Sequence, residues 1–279
     1  MHVFTKTEDL KKHLTKEGKT IGFVPTMGAL HVGHISLVNT SLTENEITVV
    51  SIFVNPTQFN NVTDLDKYPR TINDDVALLE GASRDIVVFA PSVEDIYGEK
   101  SVSMNFDFHG LENQMEGKFR KGHFNGVGTV ITLLFEAVKP TRAYFGEKDF
   151  QQLQIIKKLV EINDLPVEII GCAIHRELDG LAFSSRNSRL TAEQHAEAKF
   201  IYEVLSDVKK MFGTKNVHEL NEMVSNKFKN HSLFELEYFE IADIENLETV
   251  REVKKDKKYR AFLAVFAGEV RLIDNIALN

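Results

Sequence analysis

Ile47-Thr48-Val49-Val50-Ser51-Ile52-Phe53-Val54 is the stretch whose reading decides the fold. It is rich in β-branched residues, as a buried strand is. Upstream, residues 33–45 read as a helix and 20–24 as a short apolar strand ending at Pro25. Before them, residues 6–17 carry helical periodicity. Downstream, residues 71–82 read as a helix, with Thr71 and Asp74 spaced for side-chain capping at its start. Alternation then continues: strand 86–90, helix 126–139, strand 143–145, helix 149–163, strand 167–173. Strands separated by helices imply βαβ units with right-handed crossovers. The fold class is therefore α/β, a Rossmann-like parallel sheet. In such sheets ligands bind beyond the C-terminal ends of the strands, near the topological switch point.

The pattern changes after about residue 175. Thr191, followed at the third position by Gln194, is a capping-box signature opening a long helix through about Phe212. A second helix covers 217–229. Residues 237–242, 259–267 and 270–274 read as antiparallel strands joined by short turns. Segregated helices and strands make a smaller α+β unit. The expected division is a catalytic domain over 1–175 and a C-terminal lid domain over 176–279.

The chain's 279 residues, 43% hydrophobic and 27% charged, suit one large domain or two modest ones. Cys172 is the single cysteine, so no internal disulfide forms and a reducing compartment is compatible. The N-terminal residues mix charges of both signs and lack a signal-peptide core. No segment approaches the roughly 20 apolar residues that span a bilayer. The expectation is a soluble, cytoplasmic protein with no membrane partner. A formal net charge of −8 argues against nucleic-acid binding. It still permits a cationic cleft for an anionic ligand.

Four motifs carry candidate chemistry, three of them at strand ends and the fourth after the polar turn Leu178-Asp179-Gly180. Pro25-Thr26-Met27-Gly28-Ala29-Leu30-His31-Val32-Gly33-His34 follows the first strand and opens a helix. Gly28 permits a sharp turn, and Gly33 lets a ligand ring approach the backbone. The helix start suits a phosphate. His31 and His34, three apart, point to one side and are placed to donate to phosphate oxygens. The two glycines have Walker A spacing, but His34-Ile35 replace its Lys and Ser/Thr. A zinc site would need further ligands, and two ordinary loop histidines is the bland alternative.

Asn55-Pro56-Thr57-Gln58-Phe59 follows the strand ending at Val54, and its Asn55 and Gln58 amides suit a small hydroxy acid or simply start a turn. Gly146-Glu147-Lys148-Asp149-Phe150-Gln151-Gln152 closes another strand. There Lys148 can meet a phosphate, Asp149 can cap the helix or accept from ribose hydroxyls, and Gln152 follows one turn on. Phe183-Ser184-Ser185-Arg186-Asn187 sets two hydroxyls beside a guanidinium, a phosphate clamp or a surface loop. Residues 120–124, basic and containing Gly122, read as a candidate mobile lid. His13, His109, His195, His218 and His231 are read as ordinary surface residues, and Cys172 as core.

Together PTMGALHVGH, SIFVNPTQF, YPRT, FGEKDFQQL and DGLAFSSRN resemble the pantothenate synthetase family. H-x-G-H alone points only to the wider nucleotidyltransferase superfamily. The resemblance implies condensation of pantoate with β-alanine through pantoyl adenylate, consuming ATP with Mg²⁺ and releasing AMP and pyrophosphate. It also implies a homodimer. Carried over, His34 is the proton donor, with His31 and Lys148 assisting. Met27, Gly28, Ala29, Leu30, His31, Val32, Gly33 and His34 line ATP. Gly146, Glu147, Lys148 and Asp149 hold its ribose and phosphates. His175 falls at the adenine contact, and Phe183, Ser184, Ser185 and Arg186 clamp phosphate. Gln58 and Gln152 hold pantoate, with Asn55 nearby. His175 and Phe183 depart from the family's usual smaller or aliphatic residues. The alternatives are another H-x-G-H nucleotidyltransferase and a non-catalytic nucleotide sensor.

Overall fold

A computed structural model of the chain describes residues 1–15, 19–59 and 65–279. The chain forms two compact units. The first comprises Met1–Glu112, Glu116–Glu147 and Gln152–Ala173, the second Asn113–Met115, Lys148–Gln151 and Ile174–Asn279. Lys148–Gln151 thus group by contact with the second unit, although the sequence sets them between two elements of the first.

The first unit holds a six-stranded parallel sheet. Its strands are β1 (His2–Phe4), β2 (Ile21–Thr26), β3 (Ile47–Ile52), β4 (Val87–Phe89), β5 (Arg142–Gly146) and β6 (Glu168–Cys172), in the order β1-β4-β3-β2-β5-β6. Val49 and Val50, on opposite faces of β3, are each fully buried, because helices cover both sides. These helices include α1 (Thr7–Leu14), α2 (Val32–Glu44) and α3 (Ile72–Ala82). The last two residues expected for α1, 16 and 17, lie outside the described residues. On one face Val24, Val50 and Val88 pack with Val38, Leu79 and Tyr144. On the other, Phe23 meets Phe135 edge-on, ring centroids 6.2 Å apart. β2 continues through Pro25, past its expected end. Its pairing to β5 stops at Phe23, before the proline that has no N–H to donate.

The α3 cap differs from the expectation. Thr71 is the N-cap residue but makes no capping bond to the backbone. Its hydroxyl instead faces the Asp75 carboxylate at 3.3 Å. Helices α4 (Val93–Tyr97) and α5 (Met115–Phe119) escaped the sequence reading, being too short to show a period. They precede α6 (His123–Val138) and α7 (Phe150–Ile162).

In the second unit, α8 (Ala192–Glu197) and α9 (Lys199–Met211) divide what reads as one helix. Three-residue hydrogen bonds around Ala198 tighten the chain there. The capping box is present: Gln194 N–H donates to Thr191 Oγ1 (3.2 Å) and Thr191 N–H to Gln194 Oε1 (3.0 Å). Ile201, Val204, Leu205 and Val208 form the apolar stripe of α9. It packs with α10 (Val217–Lys229) against the antiparallel sheet of β7 (Glu235–Asp243), β8 (Tyr259–Ala267) and β9 (Val270–Ala277). Only β8 and β9 are joined by the expected short turn, at Gly268 and Glu269. Residues 244–258 form the longer connection from β7 to β8.

Candidate active site

Chain order runs outward from β2 through β3 and β4, then reverses to the other side of β2 with β5. The switch point therefore lies between β2 and β5, which are parallel neighbours. The H-x-G-H loop leaves the C-terminal end of β2, and Gly146 with Glu147 leaves the C-terminal end of β5. Topology alone sets the starts of two predicted motifs side by side.

The H-x-G-H loop is held by its own neighbours. Gly28 (φ 81°) and Ala29 (φ 50°) are both left-handed, a conformation natural to glycine and strained for alanine. A carboxylate fixes this turn: Leu30 N–H donates to Asp75 Oδ1 (2.7 Å) and Ala29 N–H to Asp75 Oδ2 (3.1 Å). Asp75, on α3, is 2% exposed. A Cβ at Gly28 would lie 3.0 Å from that carboxylate, a tight approach that adds to the demand φ makes for glycine. Thr26 completes the base of the loop, donating to the Ser51 carbonyl (2.7 Å).

His31 is the N-cap of α2 and forms a capping box with His34. Gly33 N–H donates to His31 Nδ1 (3.1 Å), and His31 N–H to His34 Nδ1 (3.2 Å). The ring centroids are 4.1 Å apart. An Nδ1 that accepts from the backbone carries no proton, so each neutral ring bears its hydrogen on Nε2. The pair thus anchors through one nitrogen and presents a donor at the other, which suits developing negative charge on a phosphate.

The turn after β3 is tied to this loop. Gln58 Nε2 donates to Met27 Sδ (2.8 Å), and Asn55 Nδ2 donates to Gln58 Oε1 (3.1 Å). Asn55 is 1% exposed. Its Nδ2 also donates to the Gly126 carbonyl (3.1 Å), while its Oδ1 accepts from Tyr97 OH (2.6 Å) and Thr57. Asn55 is therefore a buried node orienting Gln58. Gly126 lets α6 come this close, for a Cβ there would sit 2.3 Å from the Thr57 carbonyl.

The reading of residues 120–124 as a candidate mobile lid does not hold for its last two residues. His123 and Phe124 are buried in the first turn of α6. His123 Nδ1–H donates to the Gln58 carbonyl (2.9 Å), while Arg120 donates to Nε2 (3.2 Å). The segment is a brace beneath the Gln58 turn.

In the second unit Lys148 and Ser184 line one small cavity with Ala182, Asn187 and Asp274. Lys148 Nζ stands 3.8 Å from Asp149. Ser184 caps the short turn Ser185–Arg189, its hydroxyl accepting from Arg186 N–H (3.2 Å). His175 and Phe183, the two departures from the family pattern, stack with ring centroids 5.3 Å apart. Phe183 N–H also donates to the His175 carbonyl (3.1 Å), so each unusual ring packs on the other. The structure thus gathers Met27, Asn55 and Gln58, pairs His31 with His34, and joins Lys148 to Ser184. Gln152, half-buried in the first turn of α7, belongs to none of these groups.

A model of the pantoate-beta-alanine ligase family matches residues 2–277. The chain belongs to that family. A pantothenate synthetase of Flavobacterium psychrophilum is 56% identical over 282 aligned residues, with 100% of both chains covered. One of Bacteroides fragilis is 49% identical, covering 99% of this chain and 98% of its own. The crystal structure of pantothenate synthetase from Thermus thermophilus superposes with a TM-score of 0.91 at 38% identity, covering 100% and 99% of the two chains. Pantoate-beta-alanine ligase from Francisella tularensis, solved with beta-gamma ATP and β-alanine, gives 0.82 at 36% identity, covering 100% and 98%. The motif reading missed Asp75 and Tyr97, which hold the Ala29–Leu30 turn and Asn55. Asp75 looked like an ordinary acidic first-turn residue, and Tyr97 carried no signal.

Proposed function

We infer that this chain is a ligase that condenses pantoate with β-alanine at the expense of ATP, giving pantothenate, AMP and pyrophosphate. The switch point carries the reading, since the H-x-G-H loop and the Gly146 turn leave neighbouring parallel strands at their C-terminal ends. A pantoate carboxylate oxygen attacks the α-phosphorus, and the bond to the bridging oxygen breaks as pyrophosphate leaves with its electron pair. The β-alanine nitrogen then attacks the acyl carbon. The acyl C–O bond of the mixed anhydride breaks, AMP departs with its electron pair, and the amine's proton is lost to solvent or phosphate.

In this reading His34 protonates or hydrogen-bonds the departing phosphates through Nε2–H, with His31 beside it. Lys148 and Arg186 neutralise phosphate charge, and Ser184 and Ser185 add hydroxyl donors. Gln58 orients pantoate with Gln152, its amide preset by Asn55 and Met27. His175 meets adenine through its main chain. Among the described residues no three His, Cys, Asp or Glu side chains gather as a metal cage. Mg²⁺ would be held mainly by nucleotide phosphates and water and would supply charge neutralisation. The proposal includes a catalytic role for 1–175, a lid role for 176–279 and a cytoplasmic setting, as read from the sequence pattern, and a homodimer carried over from the resemblance. No described helix is long and apolar enough to cross a membrane.

The test is product analysis. ATP and pantoate alone should release about one equivalent of pyrophosphate per site, and β-alanine should then give multiple turnovers with AMP and pantothenate. A stable nucleotidyl product would favour another H-x-G-H transferase. Thermal stabilisation by ATP without pyrophosphate release would favour a sensor.

A further inference from the structure

Lys148 is held from the far end of the chain. Its carbonyl accepts a hydrogen bond from Asn275 Nδ2 on β9 (2.8 Å), 127 positions away. Asn275 is 2% exposed and is itself locked. Arg260 of β8 donates to its Oδ1, and its own N–H donates to Asp274 Oδ1 (2.7 Å). Asp274 in turn receives both arms of Arg176, at 2.6 and 2.9 Å. The next residue but one after Lys148, Phe150 at the start of α7, is gripped by the same sheet. Arg260 lies over the Phe150 ring at 4.1 Å, and Phe262 packs on that ring with centroids 5.9 Å apart. Side chains of β8 and β9 therefore hold the turn that bears Lys148, fixing its main chain and so the point from which its side chain leaves.

We propose that Asn275 is a positioning residue for adenylation, acting through the Lys148 main chain. The inference rests on the role given to Lys148 above. Reversing the amide's donor end should let the Lys148 peptide turn and displace the ammonium by a fraction of an ångström or more. Displacements of about 1 Å near reacting groups cost up to about 10²-fold in rate. Asn275→Asp is the sharpest variant: it keeps an acceptor for Arg260 but faces the Lys148 carbonyl with an oxygen instead of an N–H.

The experiment is a double-mutant cycle on single-turnover adenylation, with Asn275→Asp measured in the native chain and in Lys148→Ala. The expected result is a loss of tenfold or more in the native chain and less than twofold in the Lys148→Ala chain, with the KM for β-alanine unchanged in Asn275→Asp. Native-rate adenylation by Lys148→Ala would overturn the role of Lys148 and this inference with it. If Lys148→Ala is impaired, equal losses in both backgrounds would overturn the action of Asn275 through Lys148 alone. If Asn275→Asp does not fold, Asn275→Ser, which loses reach without adding charge, enters the same cycle. Native activity in that variant would count against the proposal.

Discussion

The turns after β2 and β5 leave adjacent strands, yet they are secured in opposite ways. The β2 turn is self-contained: a histidine cap within its own helix, a threonine at its base and a carboxylate one βα unit further on. The β5 turn hands Lys148 to an antiparallel unit, where Asn275 and Arg260 hold it. The first arrangement draws on residues of the parallel-sheet unit alone, whereas the second makes Lys148 depend on the last strand. A parallel sheet sets where the loops begin, but each loop's precision comes from whatever buried polar group reaches it.

The largest effect expected on the self-contained side is at Asp75. Asp75→Asn sets an amide N–H against the N–H of Ala29 or Leu30, losing charge-assisted bonds each worth about 1.5–3 kcal/mol. Single-turnover adenylation should fall about 10²-fold. Ala29→Gly in the same chain should restore part of it, because glycine relieves about 1 kcal/mol of left-handed strain. No recovery would mean that Asp75 does more than shape the turn. A smaller loss separates capping from chemistry at His31. His31→Asn keeps a good N-cap, so the melting midpoint should stay within about 2 °C while adenylation drops about tenfold, at or below the usual acid–base range. A fall in both would make the cap itself the essential part.

The smallest effect lies beneath the β5 turn. Burial pushes the Tyr144 phenol up to about 12, with Glu44 accepting its hydrogen bond and Asn45 donating to it. In the unfolded chain the phenol ionises near pH 10. Stability from the neutral phenol is therefore full below pH 10 and is lost as pH rises through about 12. Tyr144→Phe should cost about 1 kcal/mol at neutral pH, and the gap to the native chain should narrow between those values in urea unfolding. A gap independent of pH would contradict the assignment.

What was legible in the sequence was local. The run of β-branched residues from Ile47 located a two-face-buried strand, and Thr191 with Gln194 announced a helix start that the structure reproduces. His31 and His34 were recognisable as a pair, though not as partners in each other's capping. Asp75, His123 and Asn275 were illegible for a common reason: each acts on backbone 45 to 127 positions away, and no periodicity encodes that pairing. His123 misled further, because a basic glycine-containing stretch looks solvent-exposed until α6 is seen to bury it.

The proposed function requires that His34, Lys148 and Arg186 serve one chemical step. Rapid-quench formation of pantoyl adenylate in His34→Ala, Lys148→Ala and Arg186→Ala tests it, with aminolysis of supplied pantoyl adenylate by β-alanine as the companion step. All three variants should lose adenylation, His34→Ala and Lys148→Ala by at least about 10²-fold, and all should retain aminolysis within about tenfold. Native-like adenylation in the Lys148 or Arg186 variant, with the loss confined to His34, would contradict the account.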